Sequence, residues 1–191
     1  MPPQKIYLVR HGETSWALSG RHTGRTDIPL TESGKKKALL LGEALRPIPL
    51  TLALVSPLIR AKETFDLSHL SIEGVLCDDL KEWDYGDYEG LTSKEIHEKN
   101  ANWNVFTDGS PGGESVADMT KRADLVLKRA LQASGDVALF SSAHILRCIA
   151  ARWLKMPLDF GKHIVLHTGS LSILGYEHEN PALLLWNNVI A

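Results

Sequence analysis

The chain has 191 residues, 43% of them hydrophobic and 23% charged, which is ordinary globular composition and enough for one domain over 1–191 with a sizeable core. A formal net charge of −2 gives no basic surface for nucleic acid or anionic lipid, and no apolar stretch approaches a membrane span. Two cysteines, Cys77 and Cys148, form no CxxC pair, and Met1 to Lys5 carries no apolar leader, so the expectation is a cytoplasmic protein with no nucleic-acid or membrane partner and an open oligomeric state.

Ile6 to Val9 reads as a short buried strand. A helix follows Thr31 as N-cap, with Gly34, Ala38, Leu41 and Leu45 at helical spacing, and Pro47 and Pro49 end it. Leu52 to Val55 is a second strand. Ser56-Pro57 then reads as N-cap and first helical residue of a helix with Leu58, Ala61 and Phe65 on one face. Val75 to Cys77 is a short strand and Ser93 to Glu98 a short helix. The strongest helical pattern runs from Glu114 to Ala133, with an apolar stripe of Val116, Met119, Ala123, Val126 and Ala130; Asp118–Arg122 and Asp124–Lys128 are expected i,i+4 pairs on its exposed side. Val137 to Phe140 is a buried strand, and Ile145 to Leu154, apolar on nearly every side, is a buried helix. Leu171 to Tyr176 and Leu183 to Trp186 are closing strands.

Strands alternating with helices predict an α/β fold, a three-layer α/β/α sandwich with a mostly parallel sheet. Ligands bind such sheets beyond the C-terminal strand ends, which places Arg10-His11-Gly12, Ser56 to Arg60 and Ser141 to Arg147 on one rim. A histidine held at a strand end can attack phosphorus through one ring nitrogen while the other N–H is held by a hydrogen bond. Arg10 offers a planar cation for phosphate, and Gly12 permits close backbone approach. An isolated Arg-His pair is more often a structural histidine beside a solvated arginine; the surrounding segments change that balance.

The chain resembles the histidine phosphatase superfamily, the phosphoglycerate-mutase-like proteins, over nearly its whole length. The motifs that carry the resemblance are Arg10-His-Gly-Glu-Thr14, Gly20-Arg-His-Thr-Gly-Arg-Thr-Asp-Ile-Pro-Leu-Thr31, Ser56-Pro-Leu-Ile-Arg-Ala-Lys-Glu-Thr64, Leu80-Lys-Glu-Trp-Asp-Tyr-Gly-Asp-Tyr-Glu-Gly90 and Pro111-Gly-Gly-Glu-Ser115. The resemblance implies a phosphoglycerate-mutase-like fold, His11 as nucleophile, and Arg10 and Arg60 as cations around the phosphoryl oxygens. It implies Glu82 as the acid for the leaving oxygen and then the base for water, and Thr23 with the Gly24 backbone as further donors.

One segment departs from the pattern. Similar proteins read Ser-His-Gly-His after the strand before the last long helix; this chain reads Ser141-Ser142-Ala143-His144, so Ser142 stands where the second catalytic histidine is expected and Ala143 where its glycine is. Three readings are open: His144 replaces the missing imidazole, Ser142 serves as an uncharged donor, or the site is impaired. As part of a buried first helical turn, the His144 side chain is expected to point elsewhere unless the loop has shifted. Ala17 replaces a polar residue common in relatives.

The remaining histidines carry the plainer reading. His163 and His167 lack acidic or cysteine partners with ligand spacing; His69, His97 and His178 read as surface residues; His22 either touches substrate or is an exposed loop residue. Tyr85, Tyr88 and Trp103 line a pocket or fill core. The leading function is hydrolysis of a small phosphorylated metabolite through a phosphohistidine at His11, without metal or cofactor. The alternatives are a cofactor-dependent phosphoglycerate mutase, for which the chain is short, and a catalytically impaired protein that binds a phosphorylated ligand.

Overall fold

The computed structural model describes residues 3–190. Strands β1 (Ile6–Arg10), β2 (Leu50–Val55), β3 (Gly74–Leu76), β4 (Asp136–Ser141), β5 (Ser170–Glu177) and β6 (Asn180–Val189) form one sheet in the order β3-β2-β4-β1-β5-β6. The helices are α1 (Ser15–Leu18), α2 (Glu32–Leu45), α3 (Ile59–Leu67), α4 (Ser93–Lys99), α5 (Val105–Asp108), α6 (Val116–Leu131) and α7 (Ala143–Trp153). The pairs β3–β2, β2–β4 and β4–β1 are parallel, and β5 and β6 close the sheet as an antiparallel hairpin.

The three layers follow from the two-residue period of the strands. Ile6 and Leu8, Leu54, and Val137 and Leu139 face a large core built with α6 and α7; Tyr7 and Val9, Val55, and Ala138 and Phe140 face a second core built with α2. Both faces are apolar, so helices must cover both.

Helix α2 starts at Glu32 after Thr31, whose side chain accepts from the Gly34 amide, and buries Gly34, Ala38, Leu41, Gly42 and Leu45. Helix α6 buries Met119, Ala123, Val126, Leu127 and Ala130 behind a Ser115–Asp118 capping box. The expected exposed pairs on α6 do not form. Asp118 is occupied by the cap, Arg122 turns inward to Glu114 (2.7 Å), and Asp124 pairs with Arg152 of α7 (2.8 Å).

The start of α3 is also corrected. Ser56 is not its cap: the Ser56 amide continues the ladder to the Phe140 carbonyl at 2.9 Å, and the helix begins at Ile59, whose amide donates to Asp27 Oδ1 at 2.6 Å. The buried face of α3 consists of Arg60, Ala61 and Thr64, while Phe65 is half-buried edge-on to Phe140. Strand β3 ends at Leu76, one residue before the expected boundary, and β6 is longer than expected at both ends.

Candidate active site

The C-terminal ends of the parallel strands β1, β2 and β4 bring the three expected segments to one rim. His11 leaves β1 with its amide bonded to Ser141 O (2.9 Å) and its carbonyl accepting from Gly169 N (2.8 Å). Gly12 then has to pass the start of α2: a Cβ there would stand 2.3 Å from Gly34 O, and one on Gly34 would stand 2.2 Å from Glu13 O. The two glycines let α2 dock directly on the loop that aims His11. Thr64 of α3 locks that loop further, accepting from Gly12 N at 3.0 Å while donating to Arg60 O at 2.7 Å.

The His11 ring is buried at 4% exposure, with Nδ1 2.7 Å from Gly12 O. A carbonyl only accepts, so Nδ1 carries the hydrogen and Nε2 keeps its lone pair. Burial, reinforced by the charges of Arg60 and Arg10, pushes the His11 pKa well below 6.5, so the ring is neutral. Arg10 donates through Nη1 to Leu166 O, while its buried Nε has no partner among the described residues. Burial lowers its pKa to about 10, against the supporting charge of Glu82.

Arg60 is fully buried and donates to Thr26 O (3.1 Å), Thr23 O (2.9 Å), Gly24 O (3.0 Å) and, through Nε, Ser142 Oγ (3.2 Å). It therefore shapes the 23–26 loop as well as placing a cation behind His11. Glu82 is buried at the N-terminus of α7. Its Oε1 accepts from Trp83 N and Ile145 N (both 2.9 Å) and its Oε2 from His144 N (2.9 Å). Burial alone would raise its pKa, but the His144 and Trp83 amides that donate to it outweigh that and hold the carboxylate ionised, well below the usual range. Arg122 secures the same segment, donating to Asp79 O, Lys81 O and Glu82 O.

Arg10, His11 and Glu82 border a cleft of about 250 Å³, with Arg21, Thr23 and His144 also on its wall, whereas Arg60 lies buried behind it and gives its N–H groups to the protein. His144 corrects the expectation that its side chain points elsewhere. It sits in the first turn of α7 yet lines the cleft, with Nδ1 2.5 Å from Tyr85 Oη and 3.7 Å from Glu82 Oε2. Burial, with Glu82 nearby, pushes the Tyr85 phenol pKa well up, and burial lowers that of His144, so Tyr85 donates to Nδ1 and the neutral ring keeps its hydrogen on Nε2. Ser142, by contrast, is 2% exposed and turned to Arg60.

Gly24 departs from its expected role. Its amide donates to Glu89 (2.9 Å), its carbonyl accepts from Arg60, and a Cβ there would meet Trp83 O at 2.3 Å, so the residue holds the loop and offers no donor to a ligand. Thr23 borders the cleft, with Oγ1 donating to Arg21 O at 3.1 Å. His22 is a cleft residue packed edge-on to Tyr85 and Trp103, and Ala17 lies on the cleft wall. His163 and His167 are exposed and away from the cleft. Sequence reasoning missed Glu89, Arg122 and Asp27 as supports and Arg21 as a lining residue. Their partners lie tens of residues away, and only the Gly20–Thr31 and Leu80–Gly90 motifs pointed at their neighbourhoods.

Residues 6–189 match the family model "Histidine phosphatase superfamily (branch 1)". An acid phosphatase of Mycobacterium tuberculosis is 41% identical across 91% of this chain and 87% of that protein. The sedoheptulose 1,7-bisphosphatase of Saccharomyces cerevisiae is 32% identical across 95% and 92%. A solved structure of a Mycobacterium tuberculosis open reading frame product superposes with a TM-score of 0.94 at 38% identity, over 98% of this chain and 99% of that one.

Proposed function

The chain belongs to the histidine phosphatase superfamily, and from that premise we propose that it hydrolyses small phosphomonoesters by passing the phosphoryl group through His11 to water. The observation that carries this reading is a neutral His11 ring at the cleft, its Nδ1–H tied to Gly12 O and its Nε2 without a partner among the described residues, with Arg10 beside it on the cleft wall and the charge of the buried Arg60 helping to hold the ring neutral. His11 Nε2 attacks phosphorus as the ester P–O bond breaks, and Arg10 and Arg60 offset the charge on the transferring group. Glu82 is ionised at rest. A phosphate dianion arriving beside it disfavours the second negative charge and raises its proton affinity, which suits it to protonate the leaving oxygen. It then takes a proton from the water that attacks the phosphohistidine, and the P–N bond breaks.

His144 Nε2–H is the donor that supports the phosphoryl oxygens on the side where relatives carry their second histidine. Tyr85 orients it, and Ser142 positions Arg60.

The test is a His11→Ala variant assayed on an aryl phosphate, with circular dichroism as a check on the fold. Turnover should vanish with the fold retained. A phosphoenzyme stable to alkali and labile to acid should form in the wild type and be absent from the variant. Hydrolysis by the variant at the wild-type rate would overturn the assignment.

A further inference from the structure

Arg10 has one protein acceptor among the described residues, the carbonyl of Leu166, and its Nε is buried without a partner. The plane of its guanidinium at the cleft therefore follows the placement of that carbonyl. Leu166 lies in the stretch 164–169 that leads into β5, and Gly169 at its end donates its amide to His11 O at 2.8 Å. The two consecutive cleft residues of β1 thus hang on one irregular segment. Val165, Leu166 and His167 make no backbone–backbone hydrogen bond among the described residues, so the segment does not fix its own shape.

Side chains of β5 and of the edge strand β6 hold it instead. Trp186 donates through Nε1 to Val165 O at 2.7 Å. Asn187 Oδ1 accepts from His167 N at 2.7 Å, and its Nδ2 donates to His167 Nδ1, also at 2.7 Å. Ser170 Oγ donates to His167 O at 2.6 Å. Neighbouring residues of a regular strand point to opposite faces, so Trp186 and Asn187 would not both reach one segment. A bulge brings them together: the register passes from Leu171–Asn188 to Ile173–Leu185, and Trp186 and Asn187 stand opposite Ser172 alone. Asn187 takes a left-handed backbone there (φ 56°), and its amide donates to Ser172 Oγ at 2.9 Å. A glycine would adopt that backbone without strain. An asparagine whose carboxamide is given wholly to His167 does what a glycine could not, which is to hold the segment.

We propose that Trp186 and Asn187 are positioning residues for Arg10, although β5 separates their strand from β1. They set the Leu166 carbonyl and, through it, the plane in which the guanidinium meets the phosphoryl oxygens. The proposal rests on the phosphatase reading for the identity of the bound group.

The test measures binding of inorganic phosphate by calorimetry and turnover of an aryl phosphate. Asn187→Gly keeps the left-handed backbone and removes the hold; it should weaken phosphate binding on the order of 10-fold, the lower end of the worth of a charge-assisted hydrogen bond. Trp186→Phe should weaken it less. Asn187→Asp tolerates the same φ, still accepts from His167 N, and accepts from Nδ1–H once the ring takes its other tautomer, so it should restore most of the affinity. Arg10→Lys keeps a charge for phosphate but has no planar fork to orient. Adding Asn187→Gly to Arg10→Lys should therefore cost little more, whereas a residue that only steadies the sheet edge would cost the same in both backgrounds. The Arg10 Nε–H proton resonance, assigned by its loss in Arg10→Lys, should exchange faster with water in Asn187→Gly. Undiminished phosphate affinity in Asn187→Gly, or an equal loss in both backgrounds, would overturn the proposal. A wild type that binds phosphate without turning over the ester overturns the phosphatase reading and leaves the binding cycle to decide this one. If phosphate does not bind, the Arg10 resonance decides it, and an unchanged exchange rate in Asn187→Gly overturns it.

Discussion

Ser142 and His144 stand two residues apart at the start of α7 and turn to different partners. Ser142 Oγ satisfies Arg60 Nε at 3.2 Å, and the His144 ring, fixed by Tyr85, faces the cleft. If His144 supplies the missing donor, His144→Ala should lower kcat by roughly 10²-fold, the cost of one preorganised donor to a developing charge. Tyr85→Phe, which frees the ring to turn, should cost less. Adding Ser142→His and Ala143→Gly to His144→Ala should recover much of the rate. Steady-state kinetics of the three proteins on one phosphomonoester decide the matter: an undiminished kcat in His144→Ala removes the residue from the chemistry, and failure of the rescue removes the shared role.

Two elements owe their starts to side chains far away in sequence. Asp27 caps α3 through the Ile59 amide, and Glu82 caps α7 through the His144 and Ile145 amides. Both caps tie a cleft loop to a helix, so the geometry of the loop is stabilised together with the helix. The Glu82 segment is clamped in turn by Arg122 of α6, which bonds three of its carbonyls and pairs with Glu114 while nearly buried. Arg122→Met should therefore cost about 3 kcal/mol in urea unfolding, because it strands the Glu114 carboxylate and three carbonyls. It should also lower kcat by loosening Glu82. Lys35→Ala, which removes only the exposed pair with Glu32, should leave the unfolding midpoint in place. An Arg122→Met protein with an unchanged midpoint would show that the clamp is dispensable.

At the scale of the whole molecule, His11, His22 and His144 are folded in with pKa values below 6.5, chiefly by burial. The unfolded chain binds protons at these positions before the folded protein does, so stability is full above 6.5 and falls as the pH drops below it. The loss reaches at most about 1.4 kcal/mol per pH unit for each histidine that stays neutral. Glu82, whose pKa lies below 4.5, adds a further loss of the same sign once the pH falls under that value. Urea midpoints measured from about pH 7 to about pH 5 should decline, and His11→Gln should flatten the slope; a flat wild-type profile would contradict neutral buried rings. The cleft also opens to solvent along the exposed Gly20 and Arg21, so water would reach the phosphohistidine proposed at His11. Supplied with a phosphoglycerate and its bisphosphate activator, the protein should release inorganic phosphate without interconverting isomers; rapid isomerisation without phosphate release would favour a mutase.

Local chemistry made much of this protein legible from sequence. The alternation of apolar strands and amphipathic helices placed each strand and long helix within a few residues, because burial period and capping act over a few neighbours. Arg10 and His11 could be placed on the cleft rim because they stand at the C-terminal end of a strand, where such sheets bind ligands. What depends on contacts between distant segments had to come from the tertiary structure. The starts of α3 and α7 depend on Asp27 and Glu82, and the inward turn of Arg122 depends on Glu114 standing behind it. Gly24 gives its amide to Glu89 instead of to a ligand, and His144 faces the cleft because Tyr85 and Glu82 converge on the first turn of α7. A buried polar group such as Glu82 must find a partner, and partners that lie from 8 residues away, for Arg122 and Glu114, to 65, for Gly24 and Glu89, are chosen only when the chain has folded.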